Sequence, residues 1–221
     1  MPVKDIFVLS QKRFEGAKNL PVILFDYYDK EVDIFPYEAL IFTSKNGVYA
    51  LDQVNACWKS REIYSIGSGT SEAIRKLGGK IAYEAKSSYG DVFADEIKTH
   101  LQGLKTLFIR PKVVTSHLAE ILRDAGVDLE EEILYETKCN DCTQLQKPPA
   151  GSYIIFSSPS TIDCFLRCFD WDASYTAIVI GEKTASFMPE DISYEMSPKQ
   201  TIPACIALAQ KMQNARNRTH I

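Results

Sequence analysis

No apolar run in this 221-residue sequence approaches the roughly 20 residues of a membrane-spanning helix. The first run, "IFVL" at residues 6–9, is also too short for the apolar stretch of a secretory signal. Basic charge is not in excess: 25 Lys and Arg against 29 Asp and Glu give a net charge of −4, with both signs interleaved. That excludes the basic stripe by which proteins bind nucleic acid nonspecifically. Neither nucleic acid nor membrane is an expected partner, and the expected compartment is the cytoplasm. Histidine is scarce, and His100, His117 and His220 form no nucleophile–base pattern with any cysteine. There is no Walker lysine motif. "GSGTSE" (67–72) offers Gly67 and Gly69, but Glu72 stands where a dinucleotide fingerprint needs its third glycine.

What is present is an ordinary globular balance, 45% hydrophobic and 24% charged, on a length that fits one domain or two small ones. Six cysteines occur: Cys57, Cys139, Cys142, Cys164, Cys168 and Cys205. In a reducing compartment they are expected as thiols rather than disulfides. Cys139-x-x-Cys142 and Cys164-x-x-x-Cys168 have zinc-like spacing within each pair. Against zinc, Cys164 and Cys168 fall one turn apart in "TIDCFLRCF", an expected helix on which they share a buried face with Phe165 and Phe169. Buried thiols are common core fillers, and the packing reading is preferred to metal.

Short apolar runs alternate with helical patterns along nearly the whole chain. "ALIF" (39–42), "SYIIF" (152–156) and "AIVI" (177–180) are continuous rather than alternating, as in strands buried on both faces of a parallel sheet. Between them, "SKNGVYALDQVNACW", "TSEAIRKLGG", "GDVFADEIKTHLQGL", "VTSHLAEILRDAGV", "SPSTIDCFLRCF" and "TIPACIALAQKMQNARN" read as helices. This alternation predicts an α/β fold with parallel sheets. "KNLP" (18–21) and "CNDCTQLQKPPAG" (139–151) are candidate breaks. The basic residues near the end, Lys211, Arg216 and Arg218, suggest a solvated helix terminus.

Two motifs recur in order. "LIFTSKNGV" (40–48) matches "IIFSSPSTI" (154–162), and "IYSIGSGTSEAI" (63–74) matches "AIVIGEKTASFM" (177–188). Ser44 to Thr70 and Ser158 to Thr184 are both intervals of 26 residues, so the pattern repeats at an offset of 114. A repeated order at fixed spacing predicts an internal duplication: two similar α/β units. The expected layout is one discontinuous domain of residues 1–24 plus 140–221 and a second, inserted domain of residues 29–132. Residues 22–28 and 133–139 would be the linker strands, forming a two-stranded hinge. In open α/β sheets, ligands bind beyond the carboxyl ends of the strands, where helix N-termini present N–H groups. Thr43, Ser44, Thr70, Ser71, Ser157, Ser158, Ser160 and Thr184 belong to that edge. Each alone reads as a helix cap; together they suggest a shared site for an anionic ligand.

The series "IFTSKNGV", "IGSGTSEAIRKLG", "LFIRPK", "LAEILRDAGV", "ILYETKC", "IIFSSPSTI" and "VIGEKTA" resembles the uroporphyrinogen-III synthase family. The resemblance implies two α/β domains joined by a two-stranded ladder and no metal or organic cofactor. It implies as substrate a linear hydroxymethylbilane, a polycarboxylate, which is cyclised with inversion of its last pyrrole through a spiro intermediate. It also implies a catalytic acid at Tyr135 in "ILYETKC"; by itself this tyrosine reads equally as a strand packing residue. Arg110, at a strand end, is a candidate carboxylate ligand, as is Lys183, with Lys12 and Lys45 behind them. The family's arginine after the first strand is missing: Gln11 stands in "VLSQK", and the helix expected next is reduced to "FEGAKNL". A non-catalytic sensor of an anionic metabolite would share this layout. No large apolar helix face demands a partner, so a monomer is expected.

Overall fold

The computed structural model describes residues 4–86 and 89–218, with side chains to residue 215. Along the chain run β1 (Ile6–Val8), β2 (Lys18–Asn19), β3 (Ile23–Tyr27), β4 (Ala39–Phe42), α1 (Lys45–Val54), β5 (Glu62–Ser65), α2 (Ser68–Lys76), β6 (Ile81–Glu84) and α3 (Gly90–Ile97). They are followed by β7 (Thr106–Pro111), α4 (Leu118–Asp124), β8 (Leu129–Cys139), β9 (Tyr153–Phe156), α5 (Pro159–Cys168), β10 (Thr176–Val179), α6 (Glu182–Ala185), β11 (Tyr194–Met196) and α7 (Ile202–Arg218). The chain divides into two compact units, Met1–Leu24 with Lys138–Ile221, and Phe25–Thr137.

In the discontinuous unit the strands lie in the order β11-β10-β9-β1-β2, and every neighbouring pair is parallel. Ile6, Val8, Tyr153, Ile155 and Ile178 pack on one face against Cys205, Ile206 and Ala209 of α7. Toward α5 stands an aromatic cluster: Phe165 meets Phe156 edge-on at 5.6 Å between ring centres and stacks at an angle on Phe169 at 5.3 Å. Trp171 closes it, 5.3 Å from Tyr175, whose hydroxyl donates to the Pro148 carbonyl.

The continuous unit carries the order β3-β8-β7-β4-β5-β6, parallel from β8 to β6. Both faces are covered. Leu40, Phe42, Val48, Leu51, Trp58 and Ile74 form the core under α1 and α2. Ile41, Tyr64, Phe93, Ile97, Phe108, Leu118 and Leu122 form the one under α3 and α4. All four residues of β4 are fully buried, which is why "ALIF" carries no polar alternation.

The α/β architecture expected from the alternation is present, with differences that have local causes. β2, inside the expected break "KNLP", is a strand because Phe7 and Val8 pair with Lys18 and Asn19. Residues 9–17, between parallel β1 and β2, contain no helix. α4 begins at Leu118 rather than near Val114. The Asp91 carboxylate accepts from the His117 N–H at 2.7 Å and fixes its start there. α6 is a single turn. Among the described residues no helix is long and apolar enough to cross a membrane. His220 and the side chains of Arg216 and Arg218 lie outside the described residues.

The expectation of free thiols fails for four cysteines. Cys139 is bonded to Cys164 and Cys142 to Cys168, while Cys57 and Cys205 are free. The Cα atoms of the two pairs are 5.1 and 5.0 Å apart, within disulfide reach. Sequence spacing shows contacts within each pair. It does not show that the segment after β8 docks on α5.

Candidate functional site

In the continuous unit, β4 ends at Phe42 and the chain turns through Thr43 and Ser44 into α1. Ser44 is extended, and its hydroxyl accepts from the Asn46 N–H at 3.2 Å, the geometry of an N-cap. Asn46 is buried and has a partner: the Tyr27 hydroxyl donates to its side-chain oxygen at 3.1 Å. Tyr135 lies against Tyr27 and the Ser44 hydroxyl. Its ring meets that of Tyr27 edge-on at 6.4 Å between centres. Burial pushes its phenol up to about 12, the Ser44 hydroxyl beside it works the other way, and Tyr27 adds a small upward push. Tyr27 is itself raised by burial and then by Tyr49. Tyr27, Ser44, Asn46 and Tyr135 therefore form one hydroxyl-rich cluster.

The next strand–helix junction borders the same edge. After β5, Gly67 adopts φ 86° and ψ 133°, and its carbonyl accepts from the Thr70 and Ser71 N–H groups, opening α2. Thr43, Ser44, Lys45, Gly67, Gly69 and Thr70 line an open cavity of about 320 Å³. Ser71 turns inward instead: it is fully buried, its hydroxyl 2.9 Å from that of Ser65. Arg110 does not reach this cavity's lining. Its Nε lies 2.5 Å from a Glu131 oxygen as an ion contact without hydrogen-bond alignment, and Nη1 donates to the carbonyls of Pro111 and Lys112. Its charge faces a second cavity, of about 330 Å³, with Ser116, His117, Arg123 and Glu131.

The discontinuous unit repeats the edge. Beyond β9, Ser158 precedes α5, with Pro159 at the first helical position, where its missing N–H is not needed. Thr161 clamps this start. Its hydroxyl donates to the Ser158 carbonyl at 2.6 Å and accepts from the Ser158 N–H at 3.2 Å. The Ser158 and Ser160 hydroxyls lie 2.9 Å apart. Beyond β10, the Gly181 carbonyl accepts from the N–H groups of Thr184 and Ala185. Thr184 is buried, and Lys183 is half-buried on the single turn of α6. Lys12 lies elsewhere, its ammonium 5.7 Å from the Phe14 ring centre.

Thr43, Ser44 and Thr70 thus share one cavity, with Tyr135 adjoining Ser44, and Ser158 and Ser160 share one helix start. Tyr27 and Asn46 were not singled out by sequence reasoning. The signal available was the amide of Asn46 next to Gly47 in a stretch that follows a buried strand, since a buried amide requires a partner.

The family model described as uroporphyrinogen-III synthase HemD matches residues 20–207. A curated porphyrin biosynthesis protein HemD from Ruminiclostridium josui is 25% identical over 190 residues, covering 79% of this chain. The chain spans only 38% of that relative's length. Among solved structures, uroporphyrinogen-III synthetase from Helicobacter pylori 26695 is 29% identical at a TM-score of 0.81, with 95% of this chain and 99% of that one covered. A mutant uroporphyrinogen III synthase from Thermus thermophilus is 9% identical, covers 96% of this chain and 99% of its own, and shares the fold at a TM-score of 0.59. With the model match running from β3 into α7, the chain belongs to the uroporphyrinogen-III synthase family.

Proposed function

We propose that this protein is a uroporphyrinogen-III synthase. It takes linear hydroxymethylbilane, closes the macrocycle with inversion of the last pyrrole through a spiro intermediate, and needs no metal or organic cofactor for the chemistry. In class terms it is a cyclising carbon–oxygen lyase, acting as a cytoplasmic monomer. The observation that carries the reading is the cluster of Tyr27, Ser44, Asn46 and Tyr135 beside the cavity of about 320 Å³ at the α1 and α2 starts.

Loss of the hydroxymethyl oxygen leaves a resonance-stabilised cation on the first ring, which the substituted carbon of the fourth ring attacks. Unassisted closure gives the unrearranged isomer, so the protein's main task is to hold the chain bent. An acidic protein can hold a polycarboxylate through backbone N–H groups at helix N-termini, which carry partial positive charge without a formal cation. Thr43, Ser44 and Thr70 on one unit, and Ser158 and Ser160 on the other, stand at such starts, with Lys183 and Thr184 on the single turn of α6. Ser71 and Arg110 act behind this edge, Ser71 by bracing α2 on β5 through Ser65, Arg110 through its ion pair with Glu131.

A Tyr135 phenol near 12 stays protonated at every physiological pH. It serves as a hydrogen-bond donor to the departing hydroxyl rather than as a strong acid. Incubating the protein with hydroxymethylbilane and resolving the isomers tests the reading. The type III isomer is expected, and the type I isomer alone would leave an anion-binding protein without synthase activity. Tyr135→Phe is expected to lower kcat by about tenfold or more with KM little changed. An unchanged kcat removes Tyr135 from the mechanism.

A further inference from the structure

Four of the six cysteines meet in one patch of the discontinuous unit, which begins where β8, the strand that carries Tyr135, ends. Cys139 closes β8, and Cys142 opens a short 3-10 turn, Cys142–Gln144. Cys164 and Cys168 stand one turn apart on α5, so their Cβ atoms lie about 5–6 Å apart on one face. Cys139 sits on Cys164 and Cys142 on Cys168. Two sulfurs from a C-x-x-C turn therefore face two from a helical C-x-x-x-C. Four thiolates from two such pairs are the donor set of a structural zinc site.

We propose that, in its reduced state, this patch binds one Zn²⁺ through Cys139, Cys142, Cys164 and Cys168. Three observations support it. First, the turn that bears Cys139 and Cys142 is held by bonds other than sulfur. The Asn140 N–H and side chain donate to the carbonyls of Val22 and Pro21, each at 2.8 Å, and Asp141 accepts from the Thr143 N–H and hydroxyl. Opening the disulfides therefore leaves the two sulfur pairs facing each other. Second, the Asp163 carboxylate and the Cys139 and Cys164 sulfurs lie within 4.8 Å of one another, a group that in the disulfide form does not include the Cys142 and Cys168 sulfurs, and Arg167 pairs with that carboxylate at 3.0 Å. The carboxylate can accept from a thiol before the metal arrives, and the guanidinium offsets part of the double negative charge of a tetrathiolate site. Third, Cys164 is buried, whereas Cys139, Cys142 and Cys168 are partly exposed, so reductant and ion have access.

The chemistry balances. Each disulfide takes two electrons and two protons from a dithiol reductant, which becomes a disulfide. The four thiols then lose four protons as Zn²⁺ binds. An oxidant reverses this, forming two disulfides and expelling the ion. The same four sulfurs are thereby compatible with a reducing cytoplasm, where disulfides do not persist. The ion would fix α5 at its C-terminal half while Ser158 at its other end stays at the substrate edge. This site is independent of the proposed synthase chemistry.

The test uses the full chain, reduced with a phosphine, loaded with Zn²⁺ and freed of excess metal by gel filtration. One zinc per chain is expected by elemental analysis. Replacement by Co²⁺ should give a thiolate-to-cobalt charge-transfer band in the near ultraviolet and tetrahedral d–d bands in the red. Cys142→Ser and Cys168→Ser should each lose the bound ion or shift the cobalt spectrum to three sulfurs, while Cys57→Ser and Cys205→Ser retain it. Diamide should release one equivalent. Reduced wild-type protein that retains no zinc overturns the proposal, as does zinc retained unchanged in both Cys142→Ser and Cys168→Ser. Where a variant does not fold, the wild-type stoichiometry and cobalt spectrum decide.

Discussion

The two units lay five strands in the same order, β6-β5-β4-β7-β8 in one and β11-β10-β9-β1-β2 in the other, yet they close their layers by different means. In the continuous unit the crossover from β7 to β8 carries α4, which buries Leu118 and Leu122 beside Phe93 and Ile97 of α3. In the discontinuous unit the equivalent crossover, from β1 to β2, is a loop. There, Phe14, Glu15 and Gly16 face Pro203, Ile206 and Gln210 of α7 across a cavity of about 560 Å³. On its other layer, α5 is held by sulfur and by the Phe156–Phe165–Trp171–Tyr175 cluster. A duplicated strand order thus constrains the sheet far more than the layers that cover it. Where one copy covers its sheet with α4, the other leaves a loop over a cavity, and it ties its opposite layer with cross-links and aromatic rings.

The largest contrast is at the crossover itself. Leu122→Ala empties a fully buried site and should destabilise by about 2–5 kcal/mol. Phe14→Ala, at the rim of a cavity that already exists, should reach less than half of that. Denaturant titration of both variants checks the difference, and equal losses would mean that the loop does a helix's share of burial. Alkali should next separate the units. Tyr37, Tyr64 and Tyr135 all belong to the continuous unit and are all pushed up to about 12, chiefly by burial. A phenol raised in the fold contributes stability that is complete below its unfolded value near 10 and is lost as pH climbs through about 12. For Tyr135, the most deeply buried of the three, the slope approaches roughly 1.4 kcal/mol per pH unit. Tyr135→Phe should flatten stability against pH between those limits, as seen in denaturant midpoints. An unchanged slope would mean that Tyr37 and Tyr64 carry the alkaline loss without Tyr135.

The twin glycines give a third contrast. Gly67 and Gly181 occupy the same motif position, but Gly67 has φ 86° with ψ 133°, close to glycine-only territory, whereas Gly181 is extended. Gly67→Ala should cost about 1–3 kcal/mol. In Gly181→Ala the new Cβ would come 3.0 Å from the Gln200 amide nitrogen, the end of a flexible side chain, and the cost should stay under about 1 kcal/mol. Thermal melts of the pair report this directly.

These contrasts also show what the sequence could and could not say. "ALIF" and "YIIF" announce buried parallel strands because a sheet covered on both faces leaves no room for polar alternation. The recurrence of Ser44 and Thr70 as Ser158 and Thr184 places strand–helix junctions, since small polar residues gather where a buried strand gives way to a helix, although at the second junction of each unit the cap is a glycine, Gly67 or Gly181, and not a threonine hydroxyl. β2 was illegible because two residues carry no periodicity; only pairing with β1 makes Lys18–Asn19 a strand. The pairing of Cys139 with Cys164 was illegible for the same reason, being a contact across 25 residues. At the candidate site, the types were visible but their partners were not. Ser71 reads like Thr70 in the sequence, yet one faces Ser65 in the core and the other lines the cavity. Arg110 reads as a free cation at a strand end until Glu131, on the neighbouring strand β8, is seen beside it.

The smallest effect separates the two capping serines. Ser44 accepts from the Asn46 N–H and also touches Tyr135, so Ser44→Ala removes a cap worth about 1 kcal/mol. It also removes the one group that lowers the Tyr135 phenol, whose ionisation should move further up. Ser158 shares its helix start with Thr161, whose hydroxyl bonds both the carbonyl and the N–H of residue 158 and survives Ser158→Ala. That variant should lose only a few tenths of a kcal/mol, from the Ser160 contact. The comparison turns on Thr161: with Thr161→Val in place, Ser158→Ala should become as costly as Ser44→Ala. If the double variant melts no lower than Thr161→Val alone, α5 is anchored from its sulfur-bound end and not from its first turn.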